Sequence, residues 1–327
     1  MRAAVVTRPG GPEVLLVREV PDPEPGPDEV LVAVKASALN RADLIQRAGN
    51  YPASPDAPAD IPGLEMAGVV ALVGPRVRGI APGDRVMALL GGGGYAERVV
   101  VNQAMLMAIP DGMSFQEAAS IPEVFITVYD ALFDRCELRM GERVMIHAAG
   151  SGIGIAAIQL AKESGAFSFG TAGSAEKLAK AKDLGLGVGI NYREKDFAEV
   201  VKNETGGAGV DVILDVIGAP YWDGNMASLA TKGRMIFVGT MGGGKGEVNL
   251  GALMGKRLGI YGTVLRARSL AEKIEATEQV KRHVLPLLAA GRVKAVIDRV
   301  FPLDQAAEAH AYMESNANFG KIVLDIA

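Results

Sequence analysis

The stretch "HAAGSGIGIAAIQLAK", residues 147 to 162, decides how the rest of the chain is read. Its glycines at 150, 152 and 154 make a turn of the kind that cradles phosphate, although the usual G-x-G-x-x-G spacing fails at Ile155. Upstream, "RVMIHAA" (143–149) is an apolar run with the length of a buried strand. Downstream, "GIGIAAIQLAKES" (152–164) predicts a helix apolar on most sides. A glycine turn at this junction opens a βαβ unit, where free N–H groups at the helix N-terminus face an anion. Gly152, Ile153 and Gly154 carry the main chain past a pyrophosphate, and Ser151 adds a hydroxyl. A packing turn uses the same glycines, so the context has to decide.

The context is regular. Strand "AFSFGTA" (166–172), helix "SAEKLAKAKDLG" (174–185) and strand "GVGINY" (187–192) follow in turn. Helix "KDFAEVVKNETG" (195–206), strand "VDVILDVIG" (210–218), helix "YWDGNMASLAT" (221–231) and strand "RMIFVGT" (234–240) continue the series. Alternation of this kind, with continuous apolar strands, predicts an α/β fold: a Rossmann doubly wound parallel sheet. "KRLGIYGTVL" (256–265) reads as its last strand.

Before residue 122 the pattern differs. "DEVLVAVKASAL" (28–39) sets Val30, Val32 and Val34 on one face of a strand. "MAGVVALVG" (66–74), "DRVMALL" (84–90) and "YAERVVV" (95–101) are further short strands between glycines and prolines, which predicts a partly open β-barrel. Beyond about residue 265 comes one long amphipathic helix carrying Leu270, Ile274, Val284 and Leu288, and "KIVLDIA" (321–327) returns as a strand to the first sheet. The expected domains are therefore 1–122 and 266–327 around an inserted nucleotide domain, 123–265.

Composition narrows the function classes. The 327 residues are 49% apolar and 22% charged with a formal charge of −4, so no nucleic-acid or anionic-membrane surface is expected. No apolar run is long enough to cross a membrane, the N-terminus has no leader pattern, and Cys136 is the only cysteine. A cytoplasmic protein is expected. Three scattered histidines (His147, His283, His310) and one cysteine offer no metal-binding spacing, and no second nucleotide motif points to flavin.

The end of the second nucleotide-domain strand chooses the dinucleotide. An NAD site places Asp or Glu about 20 residues past the glycines to accept from the ribose hydroxyls. Here "TAGSAEK" (171–177) has Gly173 and Ser174 at that point, with Lys177 one turn into the helix. A 2′-phosphate needs donors and positive charge, which Ser174 and Lys177 supply, with Tyr192 at the next strand end. The plain alternative is Ser174 as a helix N-cap and Lys177 as a solvated lysine. NADPH is the expected cofactor.

These features together resemble the medium-chain dehydrogenase/reductase superfamily, whose first domain is GroES-like. Its alcohol dehydrogenases hold zinc with a Cys and a Gly-His-Glu segment. The corresponding stretches here are "SALNRADL" (37–44) and "GLEMAG" (63–68), with Asn40 for the cysteine and Leu64 for the histidine. The chain is similar to the zinc-free quinone oxidoreductase branch. Stretches such as "AASIPE", "TAGSAEKL", "NYREKDF", "YWDGN", "VGTMGGG" and "NFGKIVL" resemble the tumour-suppressor-inducible NADPH quinone oxidoreductases and their bacterial relatives.

The resemblance implies reduction of small quinones by NADPH in the cleft between domains, in a homodimer. It puts Asn40 and Tyr51 by nicotinamide and substrate, and Thr127 beside the nicotinamide. Gly239, Thr240, Met241 and Gly242, with Val264, Leu265 and Arg266, would flank the carboxamide, and Asn318 and Lys321 would close the cleft. Glu65 would be structural. Tyr51 lies in "RAGNYPASP" (47–55), a loop by its Gly, Asn and Pro content. Two other functions stay open: an enone or enoyl-thioester reductase with Tyr51 as proton donor, and a non-enzymatic NADPH-binding redox sensor.

Overall fold

The computed structural model describes residues 1–54 and 57–326. The chain forms two compact units, Met1–Ile126 with Arg266–Ala327, and Thr127–Leu265. Pro55 and Ala327, at the ends of two stretches quoted above, and Asp56 lie outside the described residues.

The first unit opens with β1 (Arg2–Val6) and β2 (Leu15–Glu19), an antiparallel pair. Then come β3 (Glu29–Ala38), α1 (Arg41–Arg47), β4 (Glu65–Val73), β5 (Arg85–Leu89), β6 (Arg98–Asn102), β7 (Met107–Ala108), α2 (Phe115–Ala119) and α3 (Pro122–Tyr129). Val30, Val32 and Val34 are buried, and so is Leu31 between them, because β3 is covered on both faces. β3 pairs with β4 along its length, and with β6 from Glu29 to Ala33.

The second unit is the alternating region. It contains β8 (Arg143–Ile146), α4 (Gly152–Glu163), β9 (Phe167–Ala172), α5 (Ala175–Asp183), β10 (Val188–Asn191), α6 (Phe197–Glu204), β11 (Val210–Asp215), α7 (Trp222–Ser228), β12 (Leu229–Phe237), α8 (Leu250–Lys256) and β13 (Gly259–Gly262). The strands are parallel in the order β10-β9-β8-β11-β12-β13. This is the doubly wound arrangement, and strand order reverses between β8 and β11. The glycine turn therefore leaves β8 at the topological switch point, where such sheets bind ligands. Met145, Phe169, Ile190, Ile213, Met235 and Phe197 pack as one cluster under the sheet. Each large side chain buried there contributes about 1.5–3 kcal/mol.

The chain then returns to the first unit through α9 (Leu270–His283), α10 (Leu285–Ala289), β14 (Ile297–Pro302), α11 (Ala306–Glu314) and β15 (Lys321–Asp325). β15 pairs antiparallel with β3 from Ala36 to Ala38, sharing that edge with β6, so the sheet β14-β15-β3-β4-β5-β7 curls on itself. The fold is α/β, with a separate GroES-like sheet domain. No helix among the described residues is long and apolar enough to cross a membrane.

Two local expectations are corrected. The helix expected over 221–231 stops at Ser228, and Leu229, 1% exposed, already begins β12 in the core. The long C-terminal helix is two helices, because Pro286 cannot supply an N–H to continue the first. Residues 250–255, to which the sequence pattern assigns no element, lie in α8 with Asn249 as N-cap.

Candidate active site

In the second unit the quoted stretch is held open by its own backbone. Ala148 has φ +55°, a left-handed conformation that costs a non-glycine residue free energy and that clusters at functional turns. Ser151 N-caps α4: its Oγ accepts from the Gly154 N–H at 3.0 Å, leaving the hydroxyl proton for a ligand. A Cβ on Gly154 would stand 2.3 Å from the Ala148 carbonyl oxygen, so only glycine lets the helix start this close to the strand.

The second strand end is shaped as closely. Ala172 and Asn191 are register partners at the ends of β9 and β10, which brings Tyr192 beside Gly173. A Cβ on Gly173 would lie 2.8 Å from the Tyr192 hydroxyl and 3.3 Å from Arg193 Nε. A side chain at this position would meet both of these flexible side-chain ends. Ser174 N-caps α5, accepting from the Lys177 N–H at 3.3 Å, so it is a cap and keeps its hydroxyl proton as well. Lys177 is half-buried and Tyr192 exposed.

Backbone bonds tie Gly239–Gly242 to the neighbouring strand end. Met241 N–H donates to Val216 at 3.0 Å and Gly242 N–H to Ile217 at 2.8 Å. Beneath them Asp215, fully buried, accepts from the Ile217 and Gly218 N–H groups and from Asn225 Nδ2 at 2.7 Å. Asn225 Oδ1 in turn receives His147 Nε2–H at 2.7 Å, and Nδ1 accepts from Thr171 at 3.0 Å. His147 is thus a neutral core residue, its pKa pushed down by burial against the pull of Asp215 and Asn225. Thr127 and Leu265 are buried, while Thr240, Met241 and Val264 are exposed or half-exposed.

The first unit brings together Asn40, Glu65 and Lys321. Lys321 Nζ donates at 2.7 Å to each of Leu39 O, Asn40 Oδ1 and Glu65 Oε1. Asn40 Nδ2 donates to Glu65 Oε1 at 2.8 Å and to Ala38 O at 3.3 Å. A donor-only ammonium and an acceptor-only carboxylate therefore fix which way the Asn40 amide points. The second Glu65 oxygen accepts the Glu123 N–H, in the first turn of α3, at 2.8 Å. Asn318 lies apart from this group, its Nδ2 committed to Gly320 O at 2.8 Å. Among the described residues, no group of three or more His, Cys, Asp or Glu side chains is placed to hold a metal ion.

A buried chain supports Asn40 from behind. Asp43 closes a capping box with Asn40, whose N–H donates to Oδ2 at 2.8 Å, and the same oxygen accepts the Tyr95 hydroxyl at 3.0 Å. Arg47 donates to His310 Nδ1 at 3.2 Å, so Nε2 carries the proton and donates to Tyr95 at 3.3 Å. Burial pushes Asp43 up to about 6, and burial with the Arg47 charge pushes His310 down to about 3. Tyr51 lies with its ring 4.8 Å from the Arg266 guanidinium, which also donates to Gly91 O at 3.0 Å. Burial raises the Tyr51 phenol, Arg266 lowering it in part, so it stays protonated at neutral pH.

The chain is similar to known proteins over nearly its whole length. The zinc-binding dehydrogenase profile matches residues 184–324, and that of the alcohol dehydrogenase GroES-like domain residues 26–111. A quinone oxidoreductase of Salmonella typhimurium is 35% identical over 320 residues, covering 96% of each chain. The chain belongs to the medium-chain dehydrogenase/reductase superfamily. As a member it is an NAD(P)H-dependent oxidoreductase. The crystal structure of an NAD-dependent alcohol dehydrogenase superposes with TM-score 0.90 and 37% identity over the whole of both chains. That of Escherichia coli quinone oxidoreductase complexed with NADPH gives TM-score 0.89 and 33% identity over the same full coverage.

Arg193 and the Lys321 contacts of Glu65 escape a reading of the sequence. Arg193 follows a strand end like any solvated arginine, and nothing local marks Glu65 as the partner of a lysine 256 residues away.

Proposed function

We propose that this medium-chain dehydrogenase/reductase uses NADPH to reduce small hydrophobic quinones without zinc, as a cytoplasmic homodimer. The observation that carries the reading is the Gly173 corner. Gly173 supplies no carboxylate to select NAD, the Tyr192 hydroxyl stands beside it, and Ser174 and Lys177 follow in the first turn of α5. The residues fit the dinucleotide. Ser151, Gly152, Ile153 and Gly154 offer the α4 N-terminus to the pyrophosphate; Ser174, Lys177 and Tyr192 take the 2′-phosphate. Thr127, Gly239, Thr240, Met241, Gly242, Val264 and Leu265 are assigned to the nicotinamide. Bound NADPH supplies the hydride.

The chain's own residues then have little chemistry to do, because a quinone is a strong hydride acceptor. Tyr51, kept protonated by burial, donates a hydrogen bond to the oxygen on which negative charge develops. Arg266 over its ring holds the phenol in place. Asn40 contributes a fixed amide dipole rather than a free donor, since both its N–H bonds are already directed into the protein. The Lys321 ammonium bonds both Asn40 and Glu65, and a positive charge at that point opposes a divalent metal there. For the dimer, edge strand β13 exposes Tyr261 in the same region of sequence as Val248, Leu250 and Met254, an apolar set that pairing of two edges would cover.

NADPH consumption against ortho-quinones, para-quinones and enones tests the reading. Turnover of quinones, ortho-quinones among them, is expected. Turnover of enones with none of the quinones would assign the protein to enone reduction instead.

A further inference from the structure

We propose that Arg193 determines cofactor specificity, supplying the second cation of the 2′-phosphate subsite opposite Lys177. The inference rests on the NADPH reading above and adds a residue to it. Parallel pairing of β9 with β10 ends in register at Ala172 and Asn191, so the residues that follow each strand stand side by side. Arg193 Nε is 3.3 Å from where a Cβ on Gly173 would sit, next to the Tyr192 hydroxyl at 2.8 Å. The guanidinium thus occupies the neighbourhood in which an NAD site places its carboxylate.

Its neighbours leave it available. The Arg193 N–H is held by Asn191 Oδ1 at 3.2 Å, which fixes the turn, and Asn191 Nδ2 takes the Glu194 carboxylate at 2.6 Å. Glu176, in the first turn of α5, pairs with Lys180 at 2.7 Å. Among the described residues no carboxylate pairs with Arg193. A phosphate monoester carries about −1.5 to −2 charges at neutral pH, so one lysine leaves it undercompensated. The planar fork of an arginine adds two parallel N–H donors suited to phosphate oxygens.

The test is calorimetric titration of the intact protein with adenosine 2′,5′-bisphosphate and with adenosine 5′-monophosphate. Wild type is expected to prefer the bisphosphate. Arg193→Leu should weaken the bisphosphate roughly ten- to hundredfold, the usual range for a hydrogen bond to a charged group, and change the monophosphate less than about twofold. Arg193→Lys should recover part of the loss, having the charge without the fork. Arg193 is exposed, so neither variant disturbs the core. If wild type discriminates and Arg193→Leu discriminates as well, the assignment of Arg193 is wrong while the NADPH reading stands. If wild type does not discriminate at all, both fall.

Discussion

Replacing Lys321 by Met keeps most of the side-chain volume and removes the one ammonium that faces Glu65. The pair is among the most buried in the molecule, with side chains 5% and 0% exposed and an N–O distance of 2.7 Å. Breaking a buried ion pair from one side costs about 3–5 kcal/mol, because the remaining charge is left uncompensated. Glu65 would keep two hydrogen bonds, from the Glu123 N–H and Asn40 Nδ2, which points to the lower end, about 3 kcal/mol. Pairing Lys321→Met with Glu65→Gln removes both charges and should restore at least about 1 kcal/mol of that loss. Thermal unfolding of the wild type, both single variants and the double variant closes the cycle. A drop of roughly 6–12 °C is expected for Lys321→Met, at the usual 2–4 °C per kcal/mol for a unit of this size. Asn40 loses its orienting partner too, so quinone turnover should fall with NADPH affinity unchanged. A single variant within about 1 kcal/mol of wild type, or a double variant no better than the single, refutes the reasoning.

Other outcomes follow from the same geometry. Tyr51→Phe should lower turnover without altering NADPH affinity or melting temperature, modestly for quinones and more for an enone; equal activity on both classes removes the hydroxyl from the reaction. Lys177→Ala should raise the Michaelis constant for NADPH about ten- to hundredfold and leave that for NADH nearly unchanged, while an equal effect on both makes the lysine structural. His310 is pushed down to about 3, so between that pH and about 6.5 the unfolded chain binds a proton that the folded one refuses. The stability of wild type relative to His310→Gln should therefore grow with rising pH across that window, by at most about 1.4 kcal/mol per unit. Asp43, pushed up to about 6, acts in the opposite sense between about 4 and 6, and does so in both proteins. Melting curves from acid to neutral pH check this, and a flat difference contradicts it. Tyr261→Arg on the exposed edge strand should shift solution mass toward the monomer, and a monomeric wild type overturns the dimer.

The alternating region was legible because most of its strands are largely apolar runs and α4, α5 and α6 each open on a capping side chain. Ser174 reads as an N-cap in the sequence, and Ser151 and Asp196 prove to cap their helices as well. Legibility failed where local preference and tertiary packing disagree. Leu229 has nothing strand-like around it, and Lys232 at φ +65° interrupts β12, yet burial of Leu229 pulls the segment into the sheet. α8 carries Gly251 and Gly255, which depress helix propensity, so its sequence gives no clear helical signal. The π-helical turn Asp130–Arg135 has no periodic signature at all; its Asp130 is anchored by Thr263 Oγ1 at 3.0 Å from the far end of the unit. The site divides the same way. The glycine turn after β8 and the missing carboxylate are local and were visible, whereas the Asn40–Glu65–Lys321 group joins three segments distant in sequence and appears only once β15 returns to β3.

The central claim is direct reduction of a quinone by NADPH, and deuterium at the transferring carbon of NADPH tests it most directly. In a single turnover of the pure protein, shown free of flavin and stoichiometric zinc, with an ortho-quinone, the deuterated cofactor should react more slowly than the unlabelled one. An identical rate for both, or a protein whose spectrum shows flavin or whose composition shows stoichiometric zinc, would contradict the account.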